Sequence, residues 1–193
     1  MRNIILAVVA VAVLSGCAYS RMPELSKYQA EYVSDYSAEL VSAVVFKRPG
    51  SSGDLVQCIA ETVSNQGVTL RDSAGSFVGA ATGRYYSASN SAHVGGGDVL
   101  QYVSADGKSV VANGSTQYSS GFVSRSVRYK LSAQQKADER VYRFADLSQA
   151  QLNTGSAANY GYGGVGAWSG ANPDLALASL EQVTSNIEAC LAR

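Results

Sequence analysis

The sequence predicts an α+β fold: an antiparallel sheet of about four to six strands with two or three helices, the N-terminal and C-terminal helices packed on one face. Three observations carry that expectation. Two segments, one ending before Gly67 and one at the C-terminus, place apolar residues at the three-and-four spacing of amphipathic helices. Between them the chain breaks into short runs of Val, Tyr, Phe and Thr separated by Gly, Asp and Asn, which is the composition of strands and turns. Each helical segment also carries one cysteine on its apolar stripe, Cys58 in the first and Cys190 in the second.

The first ordered element is ambiguous. Tyr28, Tyr32, Tyr36, Leu40 and Val44 recur every four residues, a spacing that fits a helix ridge and equally one face of a strand. Residues 24–38 therefore stay open between helix and strand, while "LVSAVVFK" that follows has strand composition. In "SGDLVQCIAETVSNQG", Leu55, Cys58, Ile59, Thr62 and Val63 form a helical stripe, with Ser52 or Asp54 available to cap its start and Gly67 to follow its end. The strand-like segments are "GVTLRD", "SFVGAATGRYYSAS", "GDVLQYVSADGKSVVANGSTQYSS", "GFVSRSVRYKLSA" and "ERVYRFADL". Asp106-Gly107 is the best hairpin signal, since both residues tolerate positive φ. Val123, Val127, Tyr129 and Leu131 alternate with Ser124, Ser126, Arg128 and Lys130, as in a strand with one wet face. Arg125 interrupts the apolar face and calls for an edge, a partner or a polar cavity. At the C-terminus Asn172 can cap, Pro173 suits the first turn, and Leu180, Val183, Ile187 and Cys190 make the stripe.

The chain begins with Arg2 and an uninterrupted apolar run from Ile4 to Leu14. That run is far short of the about 20 residues that a membrane-spanning helix needs, and it reads as a secretory signal. It ends in Leu14-Ser15-Gly16-Cys17, which resembles the lipobox of bacterial lipoproteins. The resemblance implies cleavage before Cys17, conversion of its thiol to a diacylglycerol thioether, and acylation of the freed amine. Several chains at about 0.8 kcal/mol per buried methylene hold a protein firmly, so the mature protein is expected to be anchored without spanning the membrane. Ala18 stands where an aspartate would signal retention at the inner membrane, so the resemblance implies the outer membrane, with the domain periplasmic or surface-exposed. The expected organisation is a signal peptide at 1–16, a lipidated tether at 17–27 and one domain at 28–193.

Export places the two remaining cysteines in an oxidising compartment, where Cys58 and Cys190 are natural disulfide partners. Fifteen Lys plus Arg balance fifteen Asp plus Glu, with no long block of one sign, which excludes a phosphate-binding footprint and argues against nucleic acid. A single histidine, His93 in a Gly-rich segment, gives no metal-ligand set, and no G-x-S-x-G elbow or close carboxylate pair marks a nucleophile. Gly161, Gly163 and Gly166 satisfy G-x-G-x-x-G, but the following helix starts too late to receive phosphates. No catalytic residue, metal or cofactor is assigned.

The tract "NTGSAANYGYGGVGAWSGAN" combines a mobile glycine backbone with Tyr160, Tyr162 and Trp168, amphipathic rings suited to a partner or ligand or to folding back on the sheet. The expected function is that of a non-catalytic interaction or assembly protein of the cell envelope, bound to the membrane through its lipid anchor and to an envelope protein through a sheet edge or this loop. The alternative is a carrier or sensor of a small apolar ligand held between the sheet and the C-terminal helix.

Overall fold

The computed structural model describes residues 20–36, 38–50 and 52–193. Cys17 and the signal segment lie outside the described residues. The fold is α+β in outline, dominated by antiparallel sheet with two helices, and the sheet is larger than the four to six strands expected. A 3-10 turn at Pro23–Lys27 leads into β1 (Gln29–Asp35), β2 (Ala38–Pro49), α1 (Leu55–Thr62), β3 (Val68–Asp72), β4 (Phe77–Val78), β5 (Tyr85–Tyr86), β6 (Asn90–Val94), β7 (Leu100–Val103), β8 (Ser109–Ser120), β9 (Val123–Gln135), β10 (Glu139–Gln151), β11 (Gly163–Gly166) and α2 (Pro173–Leu191). Seven strands form one sheet in the order β1-β2-β11-β10-β9-β8-β7, while β3 pairs with β6 and β4 with β5 as separate ribbons.

The open region at 24–38 resolves as a 3-10 turn and a strand. Pro23 opens the turn, and Leu25 is fully buried beneath it. The segment expected as a tether is thus, from Arg21 onward, part of the packed domain: Met22 donates its N–H to Ala167 O at 2.8 Å. The tyrosine stripe then divides. Tyr28 meets Phe46 edge-on at 6.1 Å, Tyr32 lies under the Arg21 guanidinium at 3.7 Å, and Tyr36 stands in the β1–β2 turn, fully exposed.

β2 and β10 pair directly from Pro49↔Glu139 to Ala43↔Ala145 and then separate. The cause is a bulge in β10, where the register against β9 shifts between Ala145 and Ser148 and Asp146 takes a left-handed φ of 54°. β11 arches across the gap, pairing first with β10 through Gly163 and Gly164 and then with β2 through Val165 and Gly166. Gly164 and Gly166 are needed: a Cβ on Gly164 would lie 2.6 Å from the Leu40 side chain, and one on Gly166 would run into the Trp168 ring.

α2 packs along one face of the sheet, its buried Leu177, Leu180, Val183 and Ile187 meeting Val44, Val110, Val127, Leu131 and Phe144 in one core cluster. α1 lies beside it. Asp54 caps α1 by accepting from the Gln57 N–H at 2.9 Å, and Cys58 and Cys190 form the disulfide, with Cα atoms 5.6 Å apart. The helix ends at Thr62, earlier than Gly67, because Val63 turns extended and Ser64 O accepts from the Ser115 N–H at 2.6 Å. Asn172 occupies the N-cap position of α2 without a side-chain bond, its backbone left-handed at φ 54°.

The opposite face is less wet than its serines imply. The β3–β6 ribbon covers its lower half, where Val68 and Leu70 pack on Ala150 and Ser126 is fully buried. At Asp106-Gly107 the hairpin forms, but Gly107 alone takes positive φ; the Asp106 carboxylate holds the turn by accepting from Ser104 Oγ at 2.6 Å and Lys108 N at 3.1 Å.

Candidate functional site

The register brings several separate features to one end of the sheet. Antiparallel pairing sets the β1–β2 turn at Tyr36, the β8–β9 turn at Gly121-Phe122, the end of β10 at Gln151, and the 153–162 loop at the same pole. β3 runs beside the β10 extension, with Arg71 N–H donating to Leu152 O at 2.8 Å and Ser73 N–H to Gly155 O at 2.6 Å, so the excursion carrying β4 and β5 leaves from this pole too. The N-terminal segment meets the domain here: Arg21 forms a two-pronged ion pair with Glu39 at 2.8 and 3.0 Å, and Ala167 donates to Glu39 O at 2.9 Å. The Arg21 hydrogen bond holds the Glu39 carboxyl below its ordinary pKa.

Arg125, which broke the apolar pattern of β9, is satisfied inside this pole. It donates to Ala171 O at 2.7 Å and to Tyr118 Oη at 3.3 Å, while Tyr118 donates to Gln149 Oε1 at 2.7 Å and Gln149 donates to Ala171 O at 3.1 Å. These three side chains on neighbouring strands pin the turn before α2. Burial raises the pKa of Tyr118, so its hydroxyl stays protonated and donating.

The aromatic loop separates into three roles. Tyr162 lies on the sheet, its hydroxyl donating to Ser126 Oγ at 2.8 Å and its ring under the Arg128 guanidinium at 4.5 Å. Trp168 folds over the glycine backbone of Gly166 and Gly170. Tyr160 is 95% exposed and touches no core. A loop of three adaptable rings is therefore a fastened loop with one free ring. Asp72 does much of the fastening, accepting from Asn90 Nδ2 at 2.6 Å and Asn159 N at 2.9 Å, and the Asn90 bond leads in holding its carboxyl below the usual value.

The opposite pole is locked by a buried ion pair that the sequence pattern did not reveal. Arg140 donates to both Glu188 oxygens at 2.9 and 2.5 Å, to Ser52 O at 3.0 Å and to Pro49 O at 3.2 Å, while Tyr142 donates to Glu188 at 2.6 Å. One guanidinium thus ties β10 to the last turns of α2 and to the loop before α1, next to the disulfide. Arg140 shares the core-facing side of β10 with Tyr142 and Phe144, but it stands at the start of the strand, where a charged side chain ordinarily reaches water, so its burial had no local signal.

The space between sheet and α2, where an apolar ligand was expected in the alternative reading, holds the chain's own Tyr142, Phe144, Leu131, Leu177 and Leu180. A polar hollow of about 250 Å³ lies near the β10 bulge, between Asn65, Gly95, Asn113, Arg128, Tyr129 and Asp146. Asp146 is paired there with Lys130 at 3.2 Å. His93, from the Gly-rich segment, sits on β6 opposite Thr69 and faces solvent. Among the described residues no three His, Cys, Asp or Glu side chains gather to hold a metal, and no helix is long and apolar enough to cross a membrane.

The fold and its polar networks define a disulfide-locked α+β domain whose segment from Arg21 is fixed at one pole. Comparison with known protein families, curated proteins and solved structures finds no match, so the site is read from its own geometry.

Proposed function

We propose that this chain is a lipid-anchored protein of the bacterial cell envelope, acylated at Cys17 and held at the outer membrane, where it binds another envelope component without catalysing a reaction. The observation that carries the reading is Leu14-Ser15-Gly16-Cys17 placed directly after an apolar run too short to span. The Cys58–Cys190 disulfide supports it, because such bridges persist in oxidising compartments. The sheet edge at β8 is the binding surface this reading favours. β7 covers β8 as far as Leu100↔Ala112, and the stretch from Thr116 to Ser120 continues beyond it as the outer strand, able to accept an added strand.

Two measurements test the proposal. The N-terminal peptide of the protein isolated from envelopes should carry a diacylglyceryl group on Cys17, and Cys17→Ala should leave the outer-membrane fraction; normal fractionation of that variant would overturn the anchor. A photocrosslinker at exposed Gln117 on β8 should capture an envelope protein, and its absence alongside an intact anchor would remove the edge as the binding surface.

A further inference from the structure

We infer that the pole carrying the N-terminus is a bilayer-seating surface, in which exposed aromatic side chains enter the headgroup region of the membrane that holds the anchor. The inference rests on the acylation of Cys17 proposed above and adds an orientation and a partner of stated chemistry, a phospholipid surface.

Three arguments converge. The first is reach. Ala18, Tyr19 and Ser20 alone separate Cys17 from Arg21, and Arg21 is fixed to the domain by Glu39 and by the Tyr32 ring. Four residue steps extend at most about 14 Å, so an acylated Cys17 holds this pole against the membrane surface.

The second is the distribution of exposed apolar side chains. Tyr36, Phe77, Val78, Tyr85, Phe122 and Tyr160 are all exposed, and all belong to turns, ribbons or loops that leave from this pole. Tyr36 and Phe122 are fully exposed in hairpin turns, Tyr36 with a left-handed φ of 50° and Phe122 directly after Gly121 at φ 58°. Such turns favour glycine, asparagine and aspartate, so neither local conformation nor packing asks for a large ring there. From the β1–β2 turn to the β8–β9 turn the sheet crosses four strand spacings, which spreads the rings over about 20 Å, a broad footprint suited to a planar interface.

The third is charge. Arg21 is paired with Glu39, Arg125 is turned inward onto Ala171 O, and Asp72 is occupied by Asn90 and Asn159. Among the described residues the exposed charges left at this pole are Asp35 against Arg71 and Arg84, of opposite sign. What the pole offers is amphipathic rings with little net charge, which is the chemistry of the aromatic belts found at membrane–water interfaces.

The test uses the full chain, processed in cells and reconstituted in vesicles of phosphatidylethanolamine and phosphatidylglycerol, with photoreactive benzoylphenylalanine placed singly at Tyr36, Phe77, Phe122 or Tyr160. Tyr102, exposed on β7 toward the other pole, is the control. Because each site is exposed and the replacement is aromatic, folding is retained, and an unchanged melting temperature verifies it for each variant. Phospholipid adducts at the four pole positions and their loss at Tyr102 are expected. Equal labelling at Tyr102, or none at the pole of an acylated chain, overturns the seating while leaving the anchor intact. In whole envelopes, adducts of the pole residues with protein in place of lipid overturn it in favour of a protein dock. An unmodified Cys17 in the peptide mass overturns the anchored reading, and the seating with it.

Discussion

Replacing Arg140 with Met removes a guanidinium whose side chain is 8% exposed and leaves the Glu188 carboxylate, 20% exposed, with Tyr142 as its remaining donor. Breaking a buried pair from one side typically costs about 3 to 5 kcal/mol, because the surviving charge is left uncompensated. The Tyr142 bond and partial solvent access at Glu188 reduce that, whereas the orphaned carbonyls of Pro49 and Ser52 add to it, so a loss of about 2 to 4 kcal/mol is expected at neutral pH. The pH dependence gives a second, independent reading. Burial pushes the Glu188 carboxyl up, but the hydrogen bonds from Arg140 and Tyr142, with the Arg140 charge, together hold it below its ordinary value. A carboxyl lowered in the folded state contributes stability that is full above the unfolded glutamate pKa of about 4.3 and is lost as pH falls through the folded value. In Arg140→Met burial dominates and that contribution is absent. The gap between the two proteins should be widest near neutrality and narrow in acid. Urea unfolding of both proteins across that range measures it. A neutral-pH loss below about 1 kcal/mol, or a gap that does not narrow in acid, would refute the account of this pair as a buried lock.

Reduction of Cys58–Cys190, or the double replacement by Ser, releases a loop closed over a sequence separation of 132 residues; chain entropy sets an upper figure of about 5 kcal/mol, read as a drop in melting temperature. Gly114→Ala should cost about 1 to 3 kcal/mol in denaturant unfolding, since its Cβ would lie 2.5 Å from the Tyr129 ring, which is buried and packed edge-on against Phe144. Tyr160→Ser should leave the melting temperature unchanged, whereas Tyr162→Ser should lose about 1 to 2 kcal/mol with its Ser126 bond and its stacking under Arg128; equal effects would show that the loop is not divided in this way.

Much of this was legible in the chain itself. The helices announced themselves through the spacing of Leu55, Cys58 and Ile59 and of Leu180, Val183, Ile187 and Cys190, because a helix must bury one face and its period is unlike that of a strand. The disulfide followed from two cysteines on such faces. Strand composition located β3, β8, β9 and β10, and Arg125 marked a place where the face needed a partner.

Other features depend on long-range pairing and had no local signature. A four-residue tyrosine spacing suits helix and strand alike, and the pairing of β1 with β2 decided between them. β11 has the composition of a loop and becomes a strand because the β10 bulge opens a gap that its glycines can enter. Ser126 alternates as a surface residue does and is buried because the β3–β6 ribbon covers it, while Arg140, at the charged start of β10, is buried because the end of α2 arrives from elsewhere in the chain. The sequence by itself determined local periodicity, turn chemistry and the cysteine pair, since these depend on neighbours a few residues apart. The gathering of Tyr36, Phe77, Phe122 and Tyr160 at the pole where Arg21 enters was decided by strand order, a property of the folded sheet that no window of sequence contains.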